Sequence, residues 1–457
     1  PWTAHEWGYE VLLYLAYAAA GWAGIICLQA LMVGVTTLLA AYLAIRWGAA
    51  LIPALVAATL LGYALGPWVN ARPQMLDMIG VLVILHLLTS YQEGRPRALW
   101  WLPLVFLLWV NTHGAFPAGW VLVALYGLCR WLQSPGDDSR RRFFRLQPGV
   151  IKPLVLPLSA AIVVCLLNPN FLQGVLYPFT YLIGENAYYS GIVLEFTSPD
   201  FHQPAFLALE VLLLMTLVVM ILSPRGASLF ELVLVLGGSL IFLHQVRHGA
   251  LLAVFCTPIL AHHLSACLRT TRWPWLGDDT AAREVVRPPM AALALLVLLV
   301  LLVVVAPRSN APDRVMLLDV PPTRATEVVR LNHFQGPMFN IYEWGGYLIW
   351  NLWPEYKVFV DGRADVYGKD LVNDYLRVYH QQPGWRETLK RYGVEWLMLK
   401  PGKPPATALG DEGEYVSVYK DGTAELFARK DGPNQRIIDL ARTGRLDLPQ
   451  GVVGPRP

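Results

Sequence analysis

The chain has 457 residues, 55% of them hydrophobic and 15% charged, with a net charge of +3 and a mean hydropathy of +0.43. Soluble domains carry about 25% charged residues, so this composition excludes a soluble globular protein, a disordered chain and a nucleic-acid binder. Charge is unevenly placed: about 30 charged side chains fall in residues 1–306 and about 39 in 307–457, which predicts a membrane domain (1–306) followed by a soluble one.

Crossing about 30 Å of hydrocarbon takes about 20 mostly apolar residues. In chain order, apolar runs predict spans near 22–46, 49–68, 73–91, 99–112, 115–133, 150–167, 205–223, 228–244, 248–266 and 289–306. About ten crossings place both ends on one side of the membrane. Cations orient the whole, because Lys and Arg accumulate in cytoplasmic loops. One set of loops holds about fourteen, among them Arg46, Arg95, Arg97, Arg130, Arg225, Arg269 and the Arg140-Arg141-Arg142 run; the other holds Arg72 and Arg247. The N-terminal stretch and the region from 307 onward are therefore expected to be extracytoplasmic. Pro1 opens directly into Trp2-Thr3-Ala4-His5-Glu6-Trp7, with neither Met nor a signal peptide, and the sequence is read as N-terminally incomplete. Cys27, Cys129, Cys165, Cys256 and Cys267 lie in or beside spans at unpaired spacings, so neither a disulfide framework nor a zinc site is indicated.

Polar residues recur at the outer ends of the spans: His5 and Glu6; Asn70, Arg72 and Gln74; Asn111 and His113; Asn168 and Asn170; Glu185, Glu195 and Asp200; Gln245, Arg247 and His248. Ionisable groups near hydrocarbon tend to face a cavity or a partner, and one outward-opening cavity would explain the recurrence. Each loop taken singly is better explained by interfacial anchoring or helix capping. Arg72 and Arg247 stand apart as the outer-side cations of the membrane domain. Two guanidiniums suit a phosphate or pyrophosphate by bidentate, charge-assisted bonding; the alternative is ion pairing with Glu6, Glu185 or Glu195. Those acids are also the general-base candidates. The segment 168–204, with Tyr177, Tyr181, Tyr188 and Tyr189, reads as an interfacial helix that serves either as a lid or as a simple anchor.

From Asp319 onward the pattern alternates. Helices are predicted over 322–333, 368–379 and 385–392, and strands over 338–342, 357–361, 395–400, 414–419 and 424–429, with Lys420-Asp421-Gly422 turning a closing hairpin. This is a small α/β domain over 307–430, followed by a Pro/Gly/Arg-rich tail, 431–457, expected to be loosely ordered. Asp361-Gly362-Arg363-Ala364-Asp365 suits either a self-paired turn or a cation or sugar contact, and Gly345-Gly346 lacks the spacing of a phosphate loop.

Several of these motifs resemble a known family. His5-Glu6-Trp7, Asn70-Ala71-Arg72-Pro73-Gln74, Trp109-Val110-Asn111-Thr112-His113-Gly114, Asn168-Pro169, Glu195-Phe196-Thr197-Ser198-Pro199-Asp200 and Arg247-His248 look like bacterial multi-spanning glycosyltransferases of the GT-C type. Trp344-Gly345-Gly346-Tyr347 with Pro354-Glu355 and Asp361-Gly362-Arg363 resembles their attached C-terminal domain. The resemblance implies an α-helical polytopic GT-C-like domain plus an extracytoplasmic α/β domain. It implies transfer of a sugar from a polyprenyl-phosphate donor to a lipid or glycan acceptor on the outer face of the cytoplasmic membrane. Glu6, His5 and Glu195 then become the catalytic candidates, although the family's usual acid lies in a first outer loop that this sequence enters only partway. Asn70, Arg72, Gln74, Asn111, His113, Asn168, Arg247 and His248 become the substrate-binding candidates. A divalent cation (Mg or Mn) is compatible with the family, but no ligand cluster in the sequence demands one. Two other classes fit less well: a transporter, for which Asp77, Glu210 and Glu231 in or beside spans would speak, and a non-catalytic lipid-binding or envelope-assembly protein.

Overall fold

A computed structural model of the protein describes residues 4–132, 148–183, 194–271, 320–410 and 413–449. These fall in two compact units, one before and one after the boundary at Asn310–Ala311.

The first unit is helical. Its helices are α1 (Trp7–Arg46), α2 (Leu51–Ala64), α3 (Gln74–Gln92), α4 (Leu102–Val110), α5 (Pro117–Leu132), α6 (Lys152–Val164), the short α7 (Phe171–Leu176) and α8 (Thr180–Ile183), then α9 (Leu207–Leu222), α10 (Leu229–His244) and α11 (Gly249–Arg269). Each expected span from 22–46 to 248–266 has a helix; the expected span 289–306 lies outside the described residues. The segments Trp7–Arg46, Gln74–Gln92, Pro204–Leu222 and Val246–Arg269 are long and apolar enough to cross a membrane, and the remaining apolar helices have 10–17 residues. These helices mark the chain as a membrane protein.

The packing follows membrane rules. Lipid offers apolar groups no gain from leaving water, so helices associate through close van der Waals contact between small residues. Ala40, Ala44, Ala54, Ala57, Ala64, Ala253 and Ala261 are buried where α1, α2 and α11 meet, and α11, packed against α9, α2, α10 and α1, is buried on nearly every side. Large apolar side chains such as Leu55, Tyr63, Val163, Ile221 and Leu222 point outward, where acyl chains would meet them.

One feature of this unit differs from expectation. Residues 7–19, read as part of an outer loop, continue α1 toward the N-terminus, and the helix breaks only at Ala20 and Gly21. Gly21 has φ of 60°, a conformation that glycine adopts without steric cost. The break separates an upper segment with exposed Val11, Tyr14 and Leu15 from the span proper. An apolar run of this kind reads as loop beside a span by composition, but its backbone needs hydrogen bonds and takes them helically.

The second unit is a four-stranded sheet with helices. The strands are β1 (Met338–Asn340), β2 (Trp396–Leu399), β3 (Tyr415–Lys420) and β4 (Glu425–Arg429), in the order β1-β2-β4-β3; β1 runs parallel to β2 and the other pairs are antiparallel. Trp344, Trp396, Phe339, Tyr419 and Phe427 fill its core. The hairpin turn is held as its sequence suggests, with Asp421 Oδ1 accepting from the backbone N–H groups of Thr423 and Ala424 at 2.7 and 2.8 Å. Residues 357–361, expected as a strand, are irregular, with a bend at Phe359, and do not pair into the sheet. The buried Asn340 side chain satisfies their backbone instead, accepting from Phe359 N–H at 2.7 Å and donating to Val360 O at 2.9 Å. The region from 431, expected to be loosely ordered, carries a helix (Gln435–Arg442) whose Ile437 and Ile438 enter the core. Its four apolar residues, Ile437, Ile438, Leu440 and Ala441, are too few to outweigh the polar composition of the tail on paper, yet all pack on the core.

Gly345 explains the Trp344-Gly345-Gly346 motif. A Cβ there would lie 2.3 Å from Val360 O and 2.5 Å from Asp361 Cα, whereas one on Gly346 would meet nothing within 4 Å. Backbone cannot yield as a side chain tip can, so Gly345→Ala is expected to destabilise this unit by about 2–3 kcal/mol. Gly346→Ala is expected to be nearly neutral. Thermal unfolding of the full chain, followed by limited proteolysis after residue 320, checks the contrast.

Candidate active site at one end of the helical unit

The first unit has two polar ends. At one, Arg46 bonds His86 Nδ1 at 2.9 Å and pairs with Glu93, Trp47 Nε1 donates to Thr89 Oγ1 at 2.9 Å, and Arg269 donates to Gly48 O at 3.2 Å. At the other end lie the residues singled out in the sequence. It is built from the start of α1, the α2–α3 turn, the α4–α5 turn, the segment after α6, residues 194–197 and the α10–α11 turn.

Backbone and amide bonds tie these segments together. Gly8 N–H donates to Asn111 O at 2.9 Å, Trp7 Nε1 to Asn111 Oδ1 at 3.0 Å, and Val246 N–H to Thr197 O at 2.8 Å. Asn111 Nδ2 in turn donates to Leu107 O and Leu167 O at 2.9 and 3.0 Å. Asn111, expected as a substrate contact, thus acts as a strut between three segments. Asn168, expected in the same role, is used by its own turn: Nδ2 donates to Cys165 O and Phe171 O, and Oδ1 accepts from Asn170 N–H.

Inside this frame a line of ionisable groups forms. Asp77, one turn into α3, is buried; it accepts from Trp109 Nε1 at 2.7 Å and faces His113 Nδ1 at 2.6 and 2.8 Å. The other ring nitrogen of His113 lies 3.4 Å from Glu6 Oε1, and His5 Nε2 approaches the same oxygen at 3.4 Å. Burial by itself would push the Glu6 carboxyl up, but the His5 hydrogen bond and the charges of His113, His5 and Arg72 outweigh it and hold Glu6 below the usual carboxylate range. Burial likewise opposes the charged form of His113, yet Asp77 and then Glu6 prevail over it and over Arg247, so the imidazole keeps its proton above its ordinary range.

Arg72 pairs with Glu195 at 2.7 Å, and its side chain is 50% exposed. Of the alternatives open in the sequence, an ion pair with Glu195 is the one found, while Glu185 lies outside the described residues. Arg247 lies over the Phe196 ring, 4.6 Å from its centroid, and its charge is felt at His113. His248 Nε2 is 3.2 Å from Gln245 Oε1. Asn70 Oδ1 and Gln74 Oε1 are buried without a hydrogen-bond partner, as is Tyr9 Oη. Such orphans are rare, and a polar ligand is one thing that satisfies them. At the same end the His5 ring meets Tyr177 at a tilt, with centroids 4.2 Å apart, and Tyr181 stacks on Phe196 at 5.9 Å. The described part of the tyrosine-rich segment therefore closes against the same residues; Tyr188 and Tyr189 lie outside the described residues.

The residue missed as a site member is Asp77. Its position inside an apolar run was the signal: an intramembrane acid calls for a named partner, and Trp109 and His113 are that partner. Of the other acids in or beside spans, Glu231 caps α10 with Ser228 and faces His263 at 3.4 Å, and Glu210 keeps one buried oxygen unpartnered. Among the described residues no group of three or more His, Cys, Asp or Glu is placed to hold a metal ion. In the second unit, Asp361 binds Arg363 at 2.6 Å and accepts from Tyr367 Oη at 2.8 Å, the self-paired turn. Burial would raise that carboxyl, but its bonds from Arg363 and Tyr367 hold it low.

No family model matches the chain, and neither does any curated protein. Among solved structures it is similar to the Archaeoglobus fulgidus oligosaccharyltransferase tethered to an acceptor peptide containing the NVT sequon, and to the same enzyme in the apo form. Both are 12% identical with a TM-score of 0.44, and each match covers 94% of this chain. The chain spans 66% of the length of the first and 67% of the second.

Proposed function

We propose that the protein is a membrane glycosyltransferase that moves a sugar from a polyprenyl-phosphate donor to a lipid or glycan hydroxyl at the outer face of the cytoplasmic membrane. The observation that carries this reading is the Glu6 carboxyl set between two imidazoles and within electrostatic reach of Arg72, at the helix ends that also hold Arg247. Glycosyl transfer needs those two functions side by side. Glu6 takes the proton of the acceptor hydroxyl, the acceptor oxygen bonds the anomeric carbon, and the bond from that carbon to the phosphate oxygen breaks with its electron pair leaving on the phosphate. Arg72 and Arg247 stabilise the charge that develops on the departing phosphate. In the absence of donor, Glu195 serves as the counterion of Arg72, and a phosphate takes its place. Asn70 and Gln74 offer oxygens to sugar hydroxyls. The positive-inside asymmetry supports the outer location.

The test is binding of a polyprenyl-phosphate sugar to the protein in nanodiscs. Arg72→Ala and Arg247→Ala are each expected to weaken binding by about tenfold or more, the loss of one charge-assisted contact. Unchanged affinity in both variants would sink the phosphate assignment.

A further inference from the structure

Asp77 has no part in the transfer as written, yet its surroundings are built with care. Asp77 is 5% exposed, and both its carboxylate oxygens face His113 Nδ1 while one also accepts from Trp109 Nε1. A buried carboxylate is costly unless it is paired. The two-oxygen approach to Nδ1 fixes the imidazole plane, which leaves Nε2 directed at Glu6, 3.4 Å away. His113 is itself 6% exposed, so bulk water screens this line of charges poorly. The titratable and charged groups facing His113 are Asp77 from α3, Glu6 from the segment before α1 and Arg247 from the turn before α11; those facing Glu6 are His5, His113, Arg72 and the Tyr9 hydroxyl from α1.

We infer that Asp77 is a positioning residue: the Asp77–His113 pair fixes the charge beside Glu6 and thereby sets the pH range in which Glu6 takes the acceptor's proton. The inference rests on the reading of Glu6 as the proton acceptor. In the transfer the acceptor O–H bond breaks and its proton goes to a Glu6 oxygen, while the leaving phosphate carries off the electron pair; His113 gives up no proton and acts by charge. An opposite charge at hydrogen-bond distance favours the charged form of each partner. Asp77 therefore keeps the imidazolium, and the imidazolium keeps Glu6 ionised. Replacing Asp77 by the near-isosteric Asn removes the charge and exchanges one acceptor oxygen for an NH2 donor, while the remaining oxygen can still accept from Trp109 Nε1. His113 then loses its proton at lower pH, Glu6 loses a cationic neighbour, and Glu6 takes up a proton at higher pH than before.

The experiment is side-chain 15N NMR of His113 in the full chain in nanodiscs, paired with the pH profile of sugar transfer. Asp77→Asn is expected to lower the His113 titration midpoint by more than about one pH unit and to move the acid limb of transfer upward. An unmoved midpoint overturns the inference. Glu6→Gln gives a second arm at a more exposed position should Asp77→Asn fail to fold: His113 is expected to stay protonated above the free-imidazole value of about 6.5, and a fall to that value overturns the inference by making Glu6 the anchor. A wild-type protein that transfers no sugar, with a His113 midpoint that still answers to Asp77→Asn, overturns the functional reading alone.

Discussion

Glu6→Gln is expected to lower sugar transfer by about 10²–10⁴-fold while leaving donor binding in place, the loss that follows removal of a general base. Gln keeps the size of the side chain and its contacts with His5 and His113, so the variant separates proton acceptance from shape. The pH dependence follows from the direction of the Glu6 shift. Burial favours the neutral acid, but His5, His113 and Arg72 together hold the carboxyl below its ordinary range. The base is thus already ionised at neutral pH, and transfer by the wild type falls only as pH drops through that lowered value. In Glu6→Gln the residual rate has no such limb. Single-turnover transfer to a simple alcohol acceptor, run across pH with donor saturating, measures both. Retention of the full rate and of its acid limb would remove Glu6 from the proton path and return the role to Glu195, whose carboxylate is engaged by Arg72.

The sequence was most informative where single residues violate their surroundings. Apolar runs of span length, interrupted by Arg72, His113 or Arg247, located the helices and the face on which polar groups gather, because neither feature depends on distant contacts. The pairing within that face was not legible. Asp77 and His113 are 36 positions apart, and only the side-by-side packing of α3 and α4 makes them neighbours. For the same reason the strut role of Asn111 could not be read: an amide's partners are decided by tertiary structure, and here they are the backbone of its own helix and of the segment after α6, with the Trp7 indole. The helix over residues 7–19 was hidden for a different reason. Its residues are apolar enough for a span but are cut from it by Gly21, whose conformational freedom leaves no periodic signature. In the second unit, pattern reading found β1 to β4 and took 357–361 for a fifth strand, since the Asn340 side chain, not a neighbouring strand, satisfies the backbone there. The tail helix escaped because two buried isoleucines carry it.

Gly8→Ala is expected to reduce transfer by about 10²-fold with the helices intact, the penalty for moving a reacting group by about 1 Å. Gly8 is where α1 meets the α4–α5 turn: its N–H donates to Asn111 O at 2.9 Å, and a Cβ added there would fall 2.5 Å from that oxygen and 3.3 Å from the carbonyl carbon. Neither atom is free to withdraw, because Asn111 is also held by Leu107, Leu167 and Trp7. The start of α1 must give way, and Glu6, two residues upstream, moves with it away from a His113 that Asp77 keeps in place. The variant therefore tests whether catalysis depends on the distance between Glu6 and His113 rather than on the identity of either group. Gly62→Ala serves as the control, since a Cβ there meets nothing within 4 Å. Trp7→Phe removes one partly exposed hydrogen bond to Asn111, worth about 1 kcal/mol, and is expected to cost far less than Gly8→Ala. Far-UV circular dichroism and thermal unfolding establish that the bundle persists, and the His113 15N shift reports the retreat of Glu6. Full transfer in Gly8→Ala would mean that the strut does not set the position of the base, and the arrangement around Asn111 would then serve packing alone.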